Sequence, residues 1–587
     1  MQPGPIATDA ASVAVNRRDF VIRTALATLG TAPLGGVYSK ARAAEPTALI
    51  ATSPNGTPLP KTSVHMETGD PFLENLIIQA ERLARGNIEI FAPKLKVLVE
   101  GARFKNAWLE TQPMGGAMYA KRDLEVGLNN QLIFMDTQRA DGRLPGMITT
   151  DAHQSLHPDY RMLQGYFFPT PAWKIYFLIQ RDRTYLARLY DVLEKYDRYL
   201  WRTRNSNHHD CLESWCVWDT GESHSTRYQS KRYGNAPDWW AGDTPPQHSC
   251  TPFESMEIMG FSHDGRMTLA LISKELNNGM EKYWAHRALQ VRSRLAQYLW
   301  RPEKHACYDR DKTGRFMDVL IHNNLRAMWY HAFTQKMADE FIRYHLFNPR
   351  EFWTPIPLPS IAADDPKFRN DPRSDWSGQP EGLTYQRTLR ALENYGHFAE
   401  VGLIGSKLLQ LVGRDGKFTQ QYDPFTGRAG GCKFTQQYDP LRCSGRNGYG
   451  PTILSVLEYT SHMYGVELDE DRVLWSGLAR GGFSIHYAQR WGTDVYALES
   501  RGNIFAGRIN GRTIFTCSTG VRVVTDLGGR CHAIIGIDQI DHHVTLHLGK
   551  ATYALKIKPN QIFLFSENGR LRPSPSAPFD YPFKVGV

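Results

Sequence analysis

The sequence predicts a mainly α protein, a large helical module followed by a smaller β-sandwich-like domain, on three observations. Apolar residues recur at helical spacing from about residue 70 to 465. After about residue 470 the pattern changes to short alternating runs. Turn pairs separate those runs, among them Asn510-Gly511, Gly528-Gly529 and Asn568-Gly569. Helices first and strands afterwards mean two segregated modules rather than one interleaved sheet.

The helical stretches read as Pro71–Arg85, Trp173–Thr203, Arg266–Asn278, Met280–Leu299, Val319–Phe347, Thr384–Tyr395, Phe398–Val412 and Pro451–Tyr464. Between them run long loops rich in Gly, Pro, Trp and His, notably Cys211–Pro252 and Asn348–Gly382. Long loops in a compact domain carry function more often than they merely connect. The strands read as Phe483–Tyr487, Thr513–Cys517, Val521–Val524, His543–Leu548 and Gln561–Phe565. One octapeptide, Lys417 to Pro424, recurs unchanged as Lys433 to Pro440, a local duplication too short for a solenoid repeat.

At 587 residues the chain is longer than one core usually supports. The first 43 residues read as a leader. Asn16-Arg17-Arg18-Asp19-Phe20 has the twin-arginine pattern, Thr24 to Val37 is a short apolar run, and Ala41-Arg42-Ala43 is a small-x-small cleavage site. The expected partition is leader 1–43, helical domain 44–470 and β-domain 471–587. The partner in export is the twin-arginine translocase, and the destination is the periplasm. No stretch is long and apolar enough to be a membrane span. The +9 charge is spread without a basic stripe, which argues against nucleic acid. Eight cysteines allow disulfides in an oxidising compartment, and none lies in a zinc-type spacing, so neither metal nor cofactor is expected. Aromatics make up 12% of the chain, which suits either sugar stacking or a large aromatic core.

Three ordered patches resemble the (α/α)6-barrel glycoside hydrolases of family 63 and the bacterial trehalases of family 37. Tyr119–Asp123 followed by Gln138–Pro145 is similar to their Trp-Asp patch and the Gln-x-x-Gly-x-Ile/Leu-Pro turn. Trp218–Tyr228 resembles their Trp-Glu-Ser-Gly-x-Asp-x-Ser-x-Arg-Trp segment. Asp375–Glu381 resembles their Tyr-Trp-Arg-Gly-Pro segment, and Gln421–Gly427 their Glu-x-Tyr-Asn/Asp-Pro-x-Thr-Gly loop. The resemblance implies an (α/α)6 toroid acting on an oligo- or polysaccharide, inverting and exo-acting. It also exposes a departure. The relatives' acid Asp falls on Ser223, with Glu222 one place earlier, and their base Glu falls on Gln421.

Glycoside hydrolysis needs one carboxyl to protonate the leaving oxygen and one to activate water or attack the sugar. Glu222 is the candidate acid, since aromatic neighbours would desolvate it and raise its pKa; otherwise it is a solvated loop charge. Glu381 is the candidate base, or a carboxylate complementing the dipole of the helix that follows. Asp423 and Asp439 stand behind them. The matched patches imply sugar binding by Arg122, Asp123, Gln138, Trp218, Asp219, Arg227 and Trp376, each of which also has a structural reading as ion pair, turn cap or core residue. Two rival functions remain open: a polysaccharide lyase using His208, His224 and Tyr228, and a non-catalytic sugar-binding protein.

Overall fold

The computed structural model describes residues 51–585 apart from 93, 103, 223, 229–250, 374–375 and 431–447. The twin-arginine leader, Asp439 and the second copy of the octapeptide lie outside the described residues.

Twelve helices of the described residues alternate between two rings. The inner ring is α2 (Gln112–Tyr119), α4 (Pro169–Leu178), α6 (Met256–Leu276), α8 (Asn323–Trp329), α10 (Gly382–Glu393) and α12 (Gly450–Tyr464). Each touches the next, and α12 returns to α2, so the ring closes. Alternating with them in the chain are α1 (Pro71–Gly86), α3 (Leu124–Asp136), α5 (Arg183–Thr203), α7 (Glu281–Tyr298), α9 (Gln335–Phe341) and α11 (Phe398–Asp415). This is the expected (α/α)6 toroid.

Outer helices are built as the periodicity requires. Asp70 caps α1 by accepting from the N–H groups of Phe72 and Leu73, Pro71 opens the helix, and Leu73, Leu76, Ile77, Ala80, Leu83 and Ala84 form its buried stripe. Inner helices have no such stripe because both faces are covered; every residue of α12 is buried. Each fully buried Leu or Ile of this kind stabilises the fold by roughly 1.5–3 kcal/mol. Trp173–Thr203, expected as one helix, is two: the chain reverses at Gln180 and Arg181, both with φ near +58°, and Asp182 caps α5.

The C-terminal module consists of two antiparallel sheets. One has six strands, in the order Val466–Asp469, Arg472–Gly477, Val521–Asp526, Cys531–Gly536, Ile562–Phe565 and Leu571–Ser574. The other has seven, and its edge strand comes from the far end of the chain. Thr62–Thr68 pairs with Ile485–Trp491, Thr62 opposite Trp491. The N-terminal segment therefore belongs to the β-module rather than to the toroid, and the first β-module strand starts at Val466, before the expected boundary at 470. Trp475, Val523 and Ile534 from one sheet and Tyr487, Phe505, Phe515 and Leu546 from the other share one apolar cluster.

This module packs on the C-terminal ends of the inner helices. Trp491 Nε1 donates to Leu178 O at 2.9 Å, and Arg522 pairs with Glu393 at 2.8 Å and donates to His462 O. The opposite end, where the six inner helices begin, is the mouth. The five described cysteines, Cys211, Cys216, Cys307, Cys517 and Cys531, are unpaired thiols, so the disulfides allowed by composition do not form among them.

Candidate active site

At the mouth, the loops that lead into the inner helices deliver a dense set of charges. Glu110 precedes α2, Gln164 precedes α4, and Glu222 lies in the loop between α5 and α6. His322 precedes α8, Glu381 α10 and Tyr449 α12. The first two turns of the helices add Glu257, Asn323, Arg326 and Arg387. Six carboxyls (Glu100, Glu110, Glu222, Glu257, Asp309, Glu381) gather with three guanidiniums (Arg227, Arg326, Arg387), all at most 6% exposed. Three cations cannot neutralise six anions, so burial makes some carboxyls hold their protons.

Glu222 is not one of them. Arg227 Nη1 donates to its Oε2, and His322 Nε2 and Asn323 Nδ2 approach at 2.9 and 3.1 Å. Burial pushes its pKa up, but the Arg227 and Arg326 charges and the His322 hydrogen bond outweigh it and hold Glu222 well below the usual carboxylate range. This corrects the expected raised pKa: Arg227 of the loop and Arg326 of α8 supply guanidiniums beside it. Burial also lowers His322 to about 4. As a neutral imidazole it donates from Nε2 to Glu222 and accepts at Nδ1 from the Thr384 hydroxyl at 2.9 Å, which ties the Glu222 loop to α10.

The other carboxyls differ in their partners. Arg227 grips Asp309 through Nε at 2.8 Å and Nη2 at 2.7 Å. Glu257 takes Arg326 at 2.8 Å and Asn323 at 2.6 Å. Glu110 takes Gln164 at 2.7 Å and Arg387 at 3.1 Å. Gly221 makes room for it: a Cβ there would lie 2.3 Å from Glu110 Oε2, and its φ of +75° favours glycine independently. Burial raises the pKa of all three. Glu100 accepts from the Tyr449 hydroxyl at 2.8 Å. Burial first, then the charge of Glu110, lifts it to about 8.

Glu381 is fully buried at the N-cap position of α10, at the positive end of the helix dipole, without a side-chain bond to the helix N–H groups. Its Oε1 accepts from Gln421 Nε2, and the two residues also form a backbone bridge. Gln421 is the amide on which the sequence reading placed the relatives' base. Counting Glu-x-Tyr back from Tyr422 gives Gln420 instead, again an amide.

The structure redistributes the sugar-binding candidates. Trp376 sits at the mouth, its ring 5.6 Å from that of His322 and 5.2 Å from the Arg326 guanidinium carbon. Arg227 and Asp219 are close by but committed: Arg227 to Glu222 and Asp309, and Asp219 to the N–H groups of Leu163 (3.1 Å) and Trp215 (2.7 Å). Trp218 is 5% exposed in a cluster with Trp215 and Phe253. Arg122, Asp123 and Gln138 are elsewhere. Arg122 follows the C-terminus of α2, about 10 Å along the helix from the mouth, and pairs with Glu81 at 2.8 Å. Asp123 caps α3 through Val126 N. Gln138 donates to Gly142 O and Val192 O, pinning a turn to α5. Asp423 lies on the exposed turn after Tyr422, accepting from the N–H groups of Phe425 and Thr426. Of the lyase candidates, His208 is exposed and His224 half-buried, whereas the Tyr228 hydroxyl is buried against Ser214 and Thr220.

At the closed end, Glu458, His462 and Glu467 bring ligand atoms within 4.8 Å of one another, a spacing that would suit a metal. Lys121 pairs with Glu458 at 2.8 Å and with Glu467, so an ammonium already supplies the positive charge there.

The sequence profile of the mannosylglycerate hydrolase MGH1-like glycoside hydrolase domain matches residues 113–439, more than half of the chain. The chain belongs to this family of glycoside hydrolases. Within the family, its departures at Ser223 and Gln421 become questions about which groups carry the chemistry. The family-63 mannosylglycerate hydrolase of Thermus thermophilus, solved with Tris, is 15% identical with a TM-score of 0.51, covering 65% of this chain and 99% of that one. The same enzyme with glucose gives 16% identity and a TM-score of 0.50 over the same shares. A sialidase is similar over 82% of this chain and 43% of its own, at 11% identity and a TM-score of 0.58. At these identities the likeness concerns the fold. No curated protein matches the chain.

Sequence reasoning missed Glu100, Glu110, Glu257, His322, Arg326 and Arg387. Three of these are charges within the first two turns of helices whose remaining residues are nearly all buried. A charge inside a segment with no polar face is the signal that would have found them.

Proposed function

We propose that the protein is an exported, exo-acting glycosidase that inverts the anomeric centre, with Glu381 as the carboxylate that activates water. The carrying observation is the contact between Glu381 and Gln421. Where the relatives' base is expected this chain has two successive amides, Gln420 and Gln421, and the neighbouring inner-helix start brings a carboxylate to the second of them. Glu222, named as the acid from the sequence, serves instead as the ionised centre of the cluster that fixes the mouth.

Exo action is supported by the β-module, which we read as a sandwich-like brace across the C-terminal ends of the inner helices. A toroid braced at one end would take a chain terminus or a small glycoside from the other. The substrate class we infer is a short oligosaccharide or a small glycoside such as the mannosylglycerate named for the Thermus relative. Export is supported by the order of Arg17-Arg18, apolar run and Ala41-Arg42-Ala43; replacing both arginines by lysine should leave the precursor in the cytoplasm, and normal export of that variant would refute the route. For the chemistry, Glu381→Gln should abolish turnover of glycosides while the protein still binds the product sugar. Full activity of that variant would overturn the assignment.

A further inference from the structure

We infer that Glu100 is the proton donor to the leaving group, a role for which the family position is vacant. The inference rests on the reading of Glu381 as the water-activating carboxylate. It is carried by the partners of the mouth carboxyls. Glu222 and Asp309 share Arg227, Glu257 takes Arg326, and Glu110 takes Arg387. Glu100 alone of the remaining five has no cation in contact among the described residues. The Tyr449 hydroxyl donates to its Oε1, and the Trp108 indole approaches the same carboxyl. Burial and the neighbouring charge of Glu110, with no contacting cation to offset them, favour the protonated form of Glu100.

Glu100 is also in the right neighbourhood. It lies in the loop leading to α2, 6% exposed. Trp108 and Tyr449 approach its carboxyl, and the charge of Glu110 is its strongest electrostatic neighbour. Tyr449, which opens α12 and donates to Glu100, also feels the charges of Glu381 and Glu110. With its pKa near 8 the acid is loaded at neutral pH, as a general acid must be.

The step balances without a co-reactant other than water. The Glu100 O–H bond breaks, its proton goes to the glycosidic oxygen, and the C1–O bond breaks with its electron pair on that oxygen. Water adds through its oxygen to C1 and gives a proton to Glu381. Exchange with solvent returns a proton to Glu100 and removes one from Glu381.

A glycosyl fluoride separates the two roles, because fluoride leaves without protonation. A panel of α- and β-glycosyl fluorides and the matching methyl glycosides would be assayed with the full-length mature protein, Glu100→Gln and Glu381→Gln. Glu100→Gln should lose about 100-fold or more on the methyl glycoside, within the usual range for a general acid, while keeping fluoride turnover within a few-fold. The amide matches the shape of the neutral acid and can still accept from Tyr449, so the variant should melt with the wild type. Tyr449→Phe removes a hydrogen bond that lowers the Glu100 pKa, so it should move the alkaline limb of the rate profile to higher pH. Equal loss on both substrates, or undiminished methyl glycoside turnover, would overturn the role of Glu100. Glu381→Gln with full activity beside the expected Glu100→Gln split would remove the base assignment and leave the acid standing. A wild type that turns over no member of the panel would refute both.

Discussion

Glu222→Gln offers a way to separate support of the mouth from chemistry within it. The wild-type carboxylate accepts from Arg227, His322 and Asn323 at once. In the amide, Oε1 can still accept from His322, but the new NH2 group must face either the Arg227 guanidinium or another donor. Arg227 keeps Asp309 as its sole carboxylate partner. Removing one partner of a fully buried pair costs about 3–5 kcal/mol, since the other charge stays buried. For a domain of this size that corresponds to a fall in melting temperature on the order of 5 °C. The sign of the pH dependence follows from the depressed pKa: the contribution is present above the unfolded value near 4.5 and is lost as pH falls through the lower folded value. Melting temperatures of wild type and variant should therefore differ at pH 7 and converge in strong acid. Activity at temperatures well below the melt should fall alike on methyl glycoside and fluoride, as expected of a distorted mouth. An unshifted melt, with methyl glycoside turnover lost and fluoride turnover kept, would show that Glu222 is the proton donor and that its ion cluster does not hold the mouth.

Three further outcomes follow from particular contacts. His397 is buried between Glu400 (2.8 Å) and Asp339 (2.9 Å). Burial lowers its pKa, but those two carboxylates raise it to about 9; its contribution, about 3 kcal/mol from the shift above 6.5, should be complete below pH 6.5 and lost as pH rises through 9. Denaturation of wild type and His397→Asn should thus differ near neutrality and agree at pH 10; a gap that widens with pH would contradict the assignment. Gly221→Ala should drive its Cβ into Glu110 and reduce kcat/KM by about 100-fold, the scale for an ångström of misplacement in a site, and wild-type kinetics would show that Glu110 has no part in the mouth. Arg122→Met should lower the melting temperature through loss of the Glu81 pair yet leave KM within about twofold, whereas a large rise in KM would return Arg122 to the sugar site.

The fold was legible where one face meets water. The outer helices α1, α7 and α11 and the strands from Ile485 onward carry the 3.6- or two-residue period, and Asn510 and Gly511, both with positive φ, form the turn their pair promised. Helices covered on both faces were harder to read, because they have no period to detect. The largely buried α2 and α3 were missed, α8 and α9 were read as one stretch, and α6 was read ten residues late, after its true start behind the Ser255 cap. Thr62–Thr68 alternates clearly between intermediate and exposed residues, but its partner is more than 400 residues away, a pairing that local pattern cannot supply. For the site, the segment from Trp218 to Arg227, read as acid and sugar binders, proves to be a buried ionic loop, and Trp376 and Glu381 lie at the mouth. The motif at Tyr119–Asp123 failed because it lies at the wrong end of α2, and helix direction was not available from the spacing. The raised pKa expected for Glu222 failed because Arg326 and His322 come from a different inner helix start, about 100 residues away in sequence.

The stereochemistry of the first turnover tests the central claim most directly, that Glu381 activates water in place of the missing family base. Proton NMR of the sugar released from a glycosyl fluoride in the first minutes, before mutarotation, reports which face water attacked. The inverted anomer is expected from the wild type, with no release by Glu381→Gln at matched folding. Release of the retained anomer, or wild-type rates from Glu381→Gln, would contradict the claim.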